Sequence, residues 1–147
     1  MDRQHHSRPY RCCYTEIEIV SEKLQILPGI KVAVLGLGIS GIAAVKYALL
    51  RGAEVFVSDI RSKEKLIEDE PGLFLSGSIS WETGGHSVEF LAQAEIVIVS
   101  PGISVTSPLI DELRIRGVTV AGELAFAEAL IFKPIVAITG TNGKTTV

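Results

Sequence analysis

Two glycine-rich loops hold most of the chemistry in this 147-residue chain, and both have the make-up of phosphate sites. The first, Gly36-Leu37-Gly38-Ile39-Ser40-Gly41, links an apolar run to a helical pattern. There Gly36 permits a tight turn, Gly38 lets a phosphate or nucleotide approach the backbone, and Gly41 lets the following helix pack close. Asp59 lies 18 residues beyond Gly41, at the end of the next apolar run. A carboxylate there can accept hydrogen bonds from a ribose or a base, and Arg61 could pair with a phosphate. This chemistry leaves NAD, FAD and uridine nucleotides all open. The bland alternative is that the glycines serve turn and packing geometry and Asp59 is a turn residue.

The second loop, Gly140-Thr141-Asn142-Gly143-Lys144-Thr145-Thr146, follows the apolar run Ile135–Ile138. Lys144 would reach the β- and γ-phosphates of ATP, the Thr145 hydroxyl would ligate Mg²⁺, and the N–H groups of Thr141–Lys144 would line the phosphate nest. Ile138 stands where the strict pattern has its first glycine. Such a loop normally opens a helix, so a chain whose last residue is Val147 reads as the front of a larger ATP-using protein. A redox dehydrogenase has no need of this second loop. Between the two, Ser100-Pro101-Gly102 ends an apolar run. Gly102 could let a sugar or phosphate reach its N–H, and an ordinary strand-ending turn fits as well.

The elements that must position these residues alternate. Ile30–Leu35, Glu54–Ser58, Phe74–Ser80, Glu95–Val99, Val118–Ala121 and Ile135–Ile138 read as strands. Helical patterns cover Ser40–Arg51, with Ala43, Ala44, Tyr47, Ala48 and Leu50 facing inward and Gly52 ending it, and Pro108–Arg116. A further one covers Gly122–Leu130, with Leu124, Phe126 and Ala127 facing inward. Arg61–Glu70 is a charged short helix or loop, and Val88–Ala94 a turn or two of helix. This alternation predicts an α/β fold, a Rossmann-like three-layer sandwich with a mostly parallel sheet. The expected division is a disordered leader over 1–14, a nucleotide-binding domain over 15–131 with Thr15–Val20 as edge strand or lead-in, and 132–147 as the first strand and phosphate loop of a truncated ATP-binding domain. Pro134 marks that boundary.

Composition fits a folded core: 47% of residues are hydrophobic and only 6% aromatic, the aliphatic bias of strands buried on both faces. A net charge of −3 gives no support to nucleic-acid or anionic-membrane binding. Cys12 and Cys13, being adjacent, read as free thiols in the leader. His5 and His6 beside them could make only an opportunistic metal site. The glycine-broken stretch Ile30–Leu50 is a poor membrane span, which points to the cytosol.

In sequence, GLGISG (36–41), VSD (57–59), IVIVSPGI (96–103), VAGEL (120–124) and IVAITGTNGKTT (135–146) resemble the front of a Mur ligase over about Ile30 to Val147. The first loop and the SPGI turn favour the D-glutamate-adding branch. The resemblance implies ATP- and Mg²⁺-driven amide formation through an acyl phosphate, with UDP-N-acetylmuramoyl-L-alanine and D-glutamate as substrates, in peptidoglycan precursor synthesis in the cytoplasm, by a monomer. Carried over residue by residue, Gly38, Ile39 and Ser40 would meet the uracil or phosphate side of UDP. Asp59, Ile60 and Arg61 would line the uracil pocket, Ile60 through its backbone because relatives often carry a hydroxyl residue there. Gly102 would touch the substrate through its backbone. Gly140, Thr141, Asn142, Gly143, Lys144, Thr145 and Thr146 would bind ATP, with Lys144 stabilising charge on the transferring phosphoryl group and Thr145 on Mg²⁺. By themselves the 147 residues would at most bind the UDP substrate, with no cofactor required. Another Mur ligase, a nucleotide-sensing module and an NAD-dependent oxidoreductase domain are the alternatives.

Overall fold

The computed structural model describes residues 24–74 and 77–130. The leader, Thr15–Val20, the boundary at Ile131–Pro134, Ile135–Ile138 and the loop Gly140–Thr146 all lie outside the described residues. Among these described residues, five strands form one sheet: β1 (Lys31–Leu35), β2 (Glu54–Asp59), β3 (Ile79–Thr83), β4 (Ile96–Val99) and β5 (Thr119–Gly122). Their order is β3-β2-β1-β4-β5 and every neighbouring pair is parallel. Among the described residues, six helices lie between or after them: α1 (Ile39–Leu50), α2 (Lys63–Asp69), α3 (Pro71–Phe74), α4 (Val88–Leu91), α5 (Pro108–Ile115) and α6 (Glu123–Ala129). Among the described residues, no helix is long and apolar enough to cross a membrane.

Side chains alternate across a strand, and here both faces are buried, giving the three layers. Val32, Val34, Val55, Val57, Ile96 and Ile98 pack with Ala44, Val45, Ala48 and Phe126 on one face. Ala33, Leu35, Phe56, Val97 and Val99 pack with Leu91, Ile110 and Leu113 on the other. At about 1.5–3 kcal/mol for each large aliphatic side chain buried, these two clusters outweigh the ion pairs of the surface, each worth about 0.2–1 kcal/mol. Leu24 and Ile26, ahead of β1, also belong to the first cluster.

Helix faces differ from expectation in two places. In α1 the buried positions are Gly41, Ala44, Val45 and Ala48, the i, i+3, i+4, i+7 stripe. Ala43 and Leu50 sit outside it and are exposed. Leu124 of α6 is 83% exposed, because it lies two residues, or about 200°, from the buried Phe126. The third strand also differs. It is Ile79–Thr83, not Phe74–Ser80. Phe74 ends the single turn α3 and stacks on Trp81 of β3, with ring centroids 3.9 Å apart.

Candidate functional site

From β1 the chain moves outward through β2 to β3 and then returns to the other side of β1 as β4. This reversal creates a crevice beyond the carboxyl ends of β1 and β4, the usual ligand position in an open α/β sheet. A cleft of about 560 Å³ occupies it, lined by the loop 36–40, by residues 59–61, by His86 and by residues 100–103. The predicted Gly38, Ile39, Ser40, Asp59, Ile60, Arg61 and Gly102 thus share one cavity. The predicted ATP and Mg²⁺ residues, Gly140 to Thr146 with Lys144 and Thr145, lie outside the described residues.

The glycine loop is strapped from both sides. Gly36 N–H donates to the Ser58 carbonyl at 2.8 Å, and the Ser100 hydroxyl donates to the Gly36 carbonyl at 2.7 Å. Leu37 N–H donates to Asp59 Oδ2 at 2.6 Å, and Arg61 Nη2 donates to the Leu37 carbonyl at 2.7 Å. The peptide groups on the inner side of the loop are therefore satisfied by β2, β4 and Arg61. What remains facing the cleft is the N-terminus of α1. Its first N–H groups have no intrahelical partner, as at any helix start. No acidic residue stands in its first turn and no side chain caps it. Such a terminus carries partial positive charge suited to a phosphate.

Each glycine has a separate reason. Gly36 takes φ +87, a left-handed conformation that a β-carbon disfavours. A β-carbon on Gly41 would lie 2.1 Å from the Gly36 carbonyl oxygen, so the helix start and the loop approach more closely than any side chain allows. One on Gly38 would meet nothing within 4 Å, because that position opens on the cleft.

Asp59 is 4% exposed. Beyond Leu37 it accepts from Arg61 N–H and Nε, both at 2.9 Å, and from Arg61 Nη2 at 3.0 Å. Burial works against its charge, but the hydrogen bonds from the Arg61 side chain and from the Arg61 and Leu37 N–H groups win, lowering its pKa from 3.8 to about 2. Arg61 also bridges to Asp69 on α2 at 2.9 Å, a partly exposed pair of small worth. Asp59 thus acts as the clasp between the loop and β2, with its oxygens already engaged. A depressed carboxylate pKa contributes stability that is fully present above the unfolded value and is lost as pH falls through the folded one. The expected contribution is about 2 kcal/mol. Stability measured by urea unfolding should fall by that amount between pH 4 and 2 in the wild type. In Asp59→Asn this component should be missing; an identical acid profile in the two proteins would refute the assignment.

Ser58, Glu82, His86 and Ser100 also belong to this region and were not anticipated. The sequence marks Ser100 only as part of a turn; in the structure its hydroxyl, just beyond β4, ties down the Gly36 carbonyl. His86 follows Gly84-Gly85 three residues beyond β3, a signal that becomes visible only when that strand is placed correctly.

Residues 30–122 match the family model described as Mur ligase MurD-like, N-terminal domain. A UDP-N-acetylmuramoylalanine–D-glutamate ligase of Desulfotalea psychrophila is 49% identical over 115 residues, covering 78% of this chain and 25% of the relative. The ligase of the same name from Acidobacterium capsulatum is 43% identical over 120 residues, 82% of this chain and 26% of the relative. Among solved structures, a pseudomurein peptide ligase type C from Methanothermus fervidus aligns with a TM-score of 0.56 and 28% identity, over 80% of this chain and 24% of that one. The chain spans about a quarter of the length of the curated relatives it matches. With its sheet order, its strapped glycine loop and a family match that runs from Ile30 through the end of β5, the chain belongs to the Mur ligase MurD-like N-terminal domain family.

Proposed function

We propose that this domain binds the UDP moiety of UDP-N-acetylmuramoyl-L-alanine for an ATP-dependent ligase that adds D-glutamate to it in the cytoplasm, during peptidoglycan precursor synthesis. The observation that carries the reading is the strapped loop that points the uncapped N-terminus of α1 into the cleft. A diphosphate fits that terminus, with Gly38, Ile39 and Ser40 nearest to it. Ile39 and Ile60, 92% and 72% exposed, offer apolar lips for a planar base, and Gly102 opens beside them with no atom within 4 Å of a would-be β-carbon. Asp59 and Arg61 serve by holding this frame. An adenosine ribose, as in NAD, would seek a free carboxylate at the end of β2. Here that carboxylate is engaged by Leu37 and Arg61, which favours UDP over NAD.

The residues proposed for ATP, Gly140–Thr146 with Lys144 and Thr145, have a fitting donor set: a lysine ammonium for phosphate and a hydroxyl oxygen of the hard type that Mg²⁺ prefers. ATP and Mg²⁺ would supply the phosphoryl activation of the substrate carboxylate, and we place residues 132–147 in a second, ATP-binding unit. In an assay of the longer gene product, phosphate release from ATP should require both UDP-N-acetylmuramoyl-L-alanine and D-glutamate. Equal turnover with another amino acid would move the protein to a different Mur ligase, and no release with any would sink the ligase reading.

Gly38→Ala separates binding from folding. Gly38 has φ −73 and ψ −173, open to any residue, so the loss of stability should be at most about 1 kcal/mol, the cost of a poorer helix cap. The added methyl projects toward the ligand, and affinity for UDP should fall at least about tenfold, as for one lost hydrogen bond to a charged group. Unchanged UDP affinity in calorimetry would place the phosphate elsewhere.

A further inference from the structure

A second polar cluster borders the same cleft, on the face of the sheet opposite the Asp59 side chain. Ser58 is fully buried. Its hydroxyl oxygen lies 2.6 Å from Glu82 Oε2, 2.8 Å from His86 Nδ1 and 3.3 Å from the Gly85 carbonyl oxygen. The parallel register sets Ser58 beside Glu82, and the Gly84-Gly85 turn brings His86 back over them. Glu82 also accepts from the Ser87 hydroxyl and, at 3.1 Å, from the Ser87 N–H. Burial opposes the Glu82 charge, but the hydrogen bonds from Ser58 and Ser87 outweigh it and hold the carboxyl below its ordinary pKa. Ser87 in turn caps α4 by accepting from Phe90 N–H. The cluster is therefore anchored at both ends.

Counting protons orients the imidazole. Ser58 has one to give, and the nearest and charged acceptor is Glu82. Its lone pairs then face His86 Nδ1, so that nitrogen must carry a proton. In the neutral ring Nε2 is left as a lone-pair acceptor. Nε2 has no hydrogen-bond partner among the described residues, and His86 lines the cleft. A cluster serving only to hold the β3–α4 turn would be complete with Ser58, Glu82 and Ser87.

We propose that His86 is a ligand-contacting residue of this cleft, offering Nε2 as acceptor to a hydrogen-bond donor of the bound uridine nucleotide, and that Ser58 and Glu82 are positioning residues that set its tautomer. This rests on the nucleotide reading above. Phosphate oxygens carry no donor near neutral pH, so the contact falls on the nucleoside. Its donors are the uracil imide N–H and the ribose hydroxyls, two sources of the same chemistry.

The test uses the 147-residue chain labelled with ¹⁵N-histidine at pH 8. Long-range ¹H–¹⁵N spectra of the free protein should show the proton on Nδ1, and UDP should shift the Nε2 resonance. Glu82→Gln should lose the single tautomer. In His86→Asn an amide can replace Nδ1 toward Ser58 but reaches no farther. It should melt near wild type while binding UDP about tenfold more weakly, the effect of one hydrogen bond to a ligand. His86→Gln, which restores a polar atom at the depth of Nε2, should recover part of that loss. N3-methyl-UDP and 2′-deoxy-UDP identify the donor: the analogue that binds wild type weakly, and His86→Asn no more weakly than UDP does, lacks it. A proton on Nε2 in the free protein, or equal UDP affinity in His86→Asn and wild type, overturns the inference and leaves the nucleotide reading standing. No response of wild type to UDP overturns both.

Discussion

Gly41→Ala is expected to destabilise the domain by about 3 kcal/mol, despite being a change that usually helps a helix. Replacing glycine by alanine inside a helix gains about 1 kcal/mol from backbone entropy and propensity. Here the new β-carbon would sit 2.1 Å from the Gly36 carbonyl oxygen and 3.0 Å from Ser100 Oγ. The first contact is with backbone, so no side-chain rotation relieves it. Either α1 must retreat or the loop must open, and Ser100 and Asp59 hold the loop closed. Overpacking costs about 1–3 kcal/mol and occasionally more; a 2.1 Å clash with backbone lies beyond that range, at about 4 kcal/mol, which leaves about 3 kcal/mol after the propensity gain. Thermal unfolding should drop by roughly 10 °C for a domain of this size. UDP binding should weaken in the surviving folded fraction, because the phosphate-facing N–H groups move with the helix. A variant as stable as wild type would mean that the loop and α1 are not in this contact.

Asp59→Ala should be comparably damaging for an electrostatic reason. Removing the carboxylate leaves the buried Leu37 N–H without its acceptor and deprives Arg61 of three contacts. Breaking a buried ion pair by removing one partner costs about 3–5 kcal/mol. The lower end applies here, since Arg61 is partly exposed and keeps Asp69. A specific consequence distinguishes a clasp from a simple ligand: the Leu37 amide should lose its protection from hydrogen exchange, while amides in β4 keep theirs. UDP affinity should fall by about a hundredfold or more through disorganisation of the loop, the binding equivalent of about 3 kcal/mol. If Asp59→Ala bound UDP weakly but kept Leu37 protected, Asp59 would be a direct ligand and its clasp role would be wrong.

Much of this architecture was legible because it follows from local rules. Apolar runs alternating with helical patterns announce a parallel sheet, and glycines at 36, 38 and 41 followed by Asp59 announce a nucleotide-type loop with a carboxylate near it; that the carboxylate closes the loop through the Leu37 N–H is visible only in the structure. What was missed depends on contacts between distant segments. Among the described residues β3 is an edge strand, half-buried along Ile79–Thr83, so it lacks the continuous apolar signature of β1 and β4. The apolar residues before it go instead to α3, with Phe74 covering Trp81. Once β3 is misplaced, Glu82 and His86 cannot be seen to meet Ser58, because that meeting is a matter of strand register. The inward faces of α1 and α6 are narrower than the apolar pattern implies, since Leu50 and Leu124 are apolar yet lie off the buried stripe. The ligand was open for a different reason: glycine spacing reports a phosphate but not the base attached to it. The engaged state of Asp59 is what argues for uridine over adenosine.

The most direct test of the central claim is calorimetric titration of the 147-residue chain with UDP-N-acetylmuramoyl-L-alanine, with UDP and NAD⁺ as parallel ligands. The account predicts saturable one-to-one binding of both uridine compounds, weakened in Gly38→Ala, with no heat from NAD⁺. Binding of NAD⁺ by a folded sample that ignores UDP would contradict it.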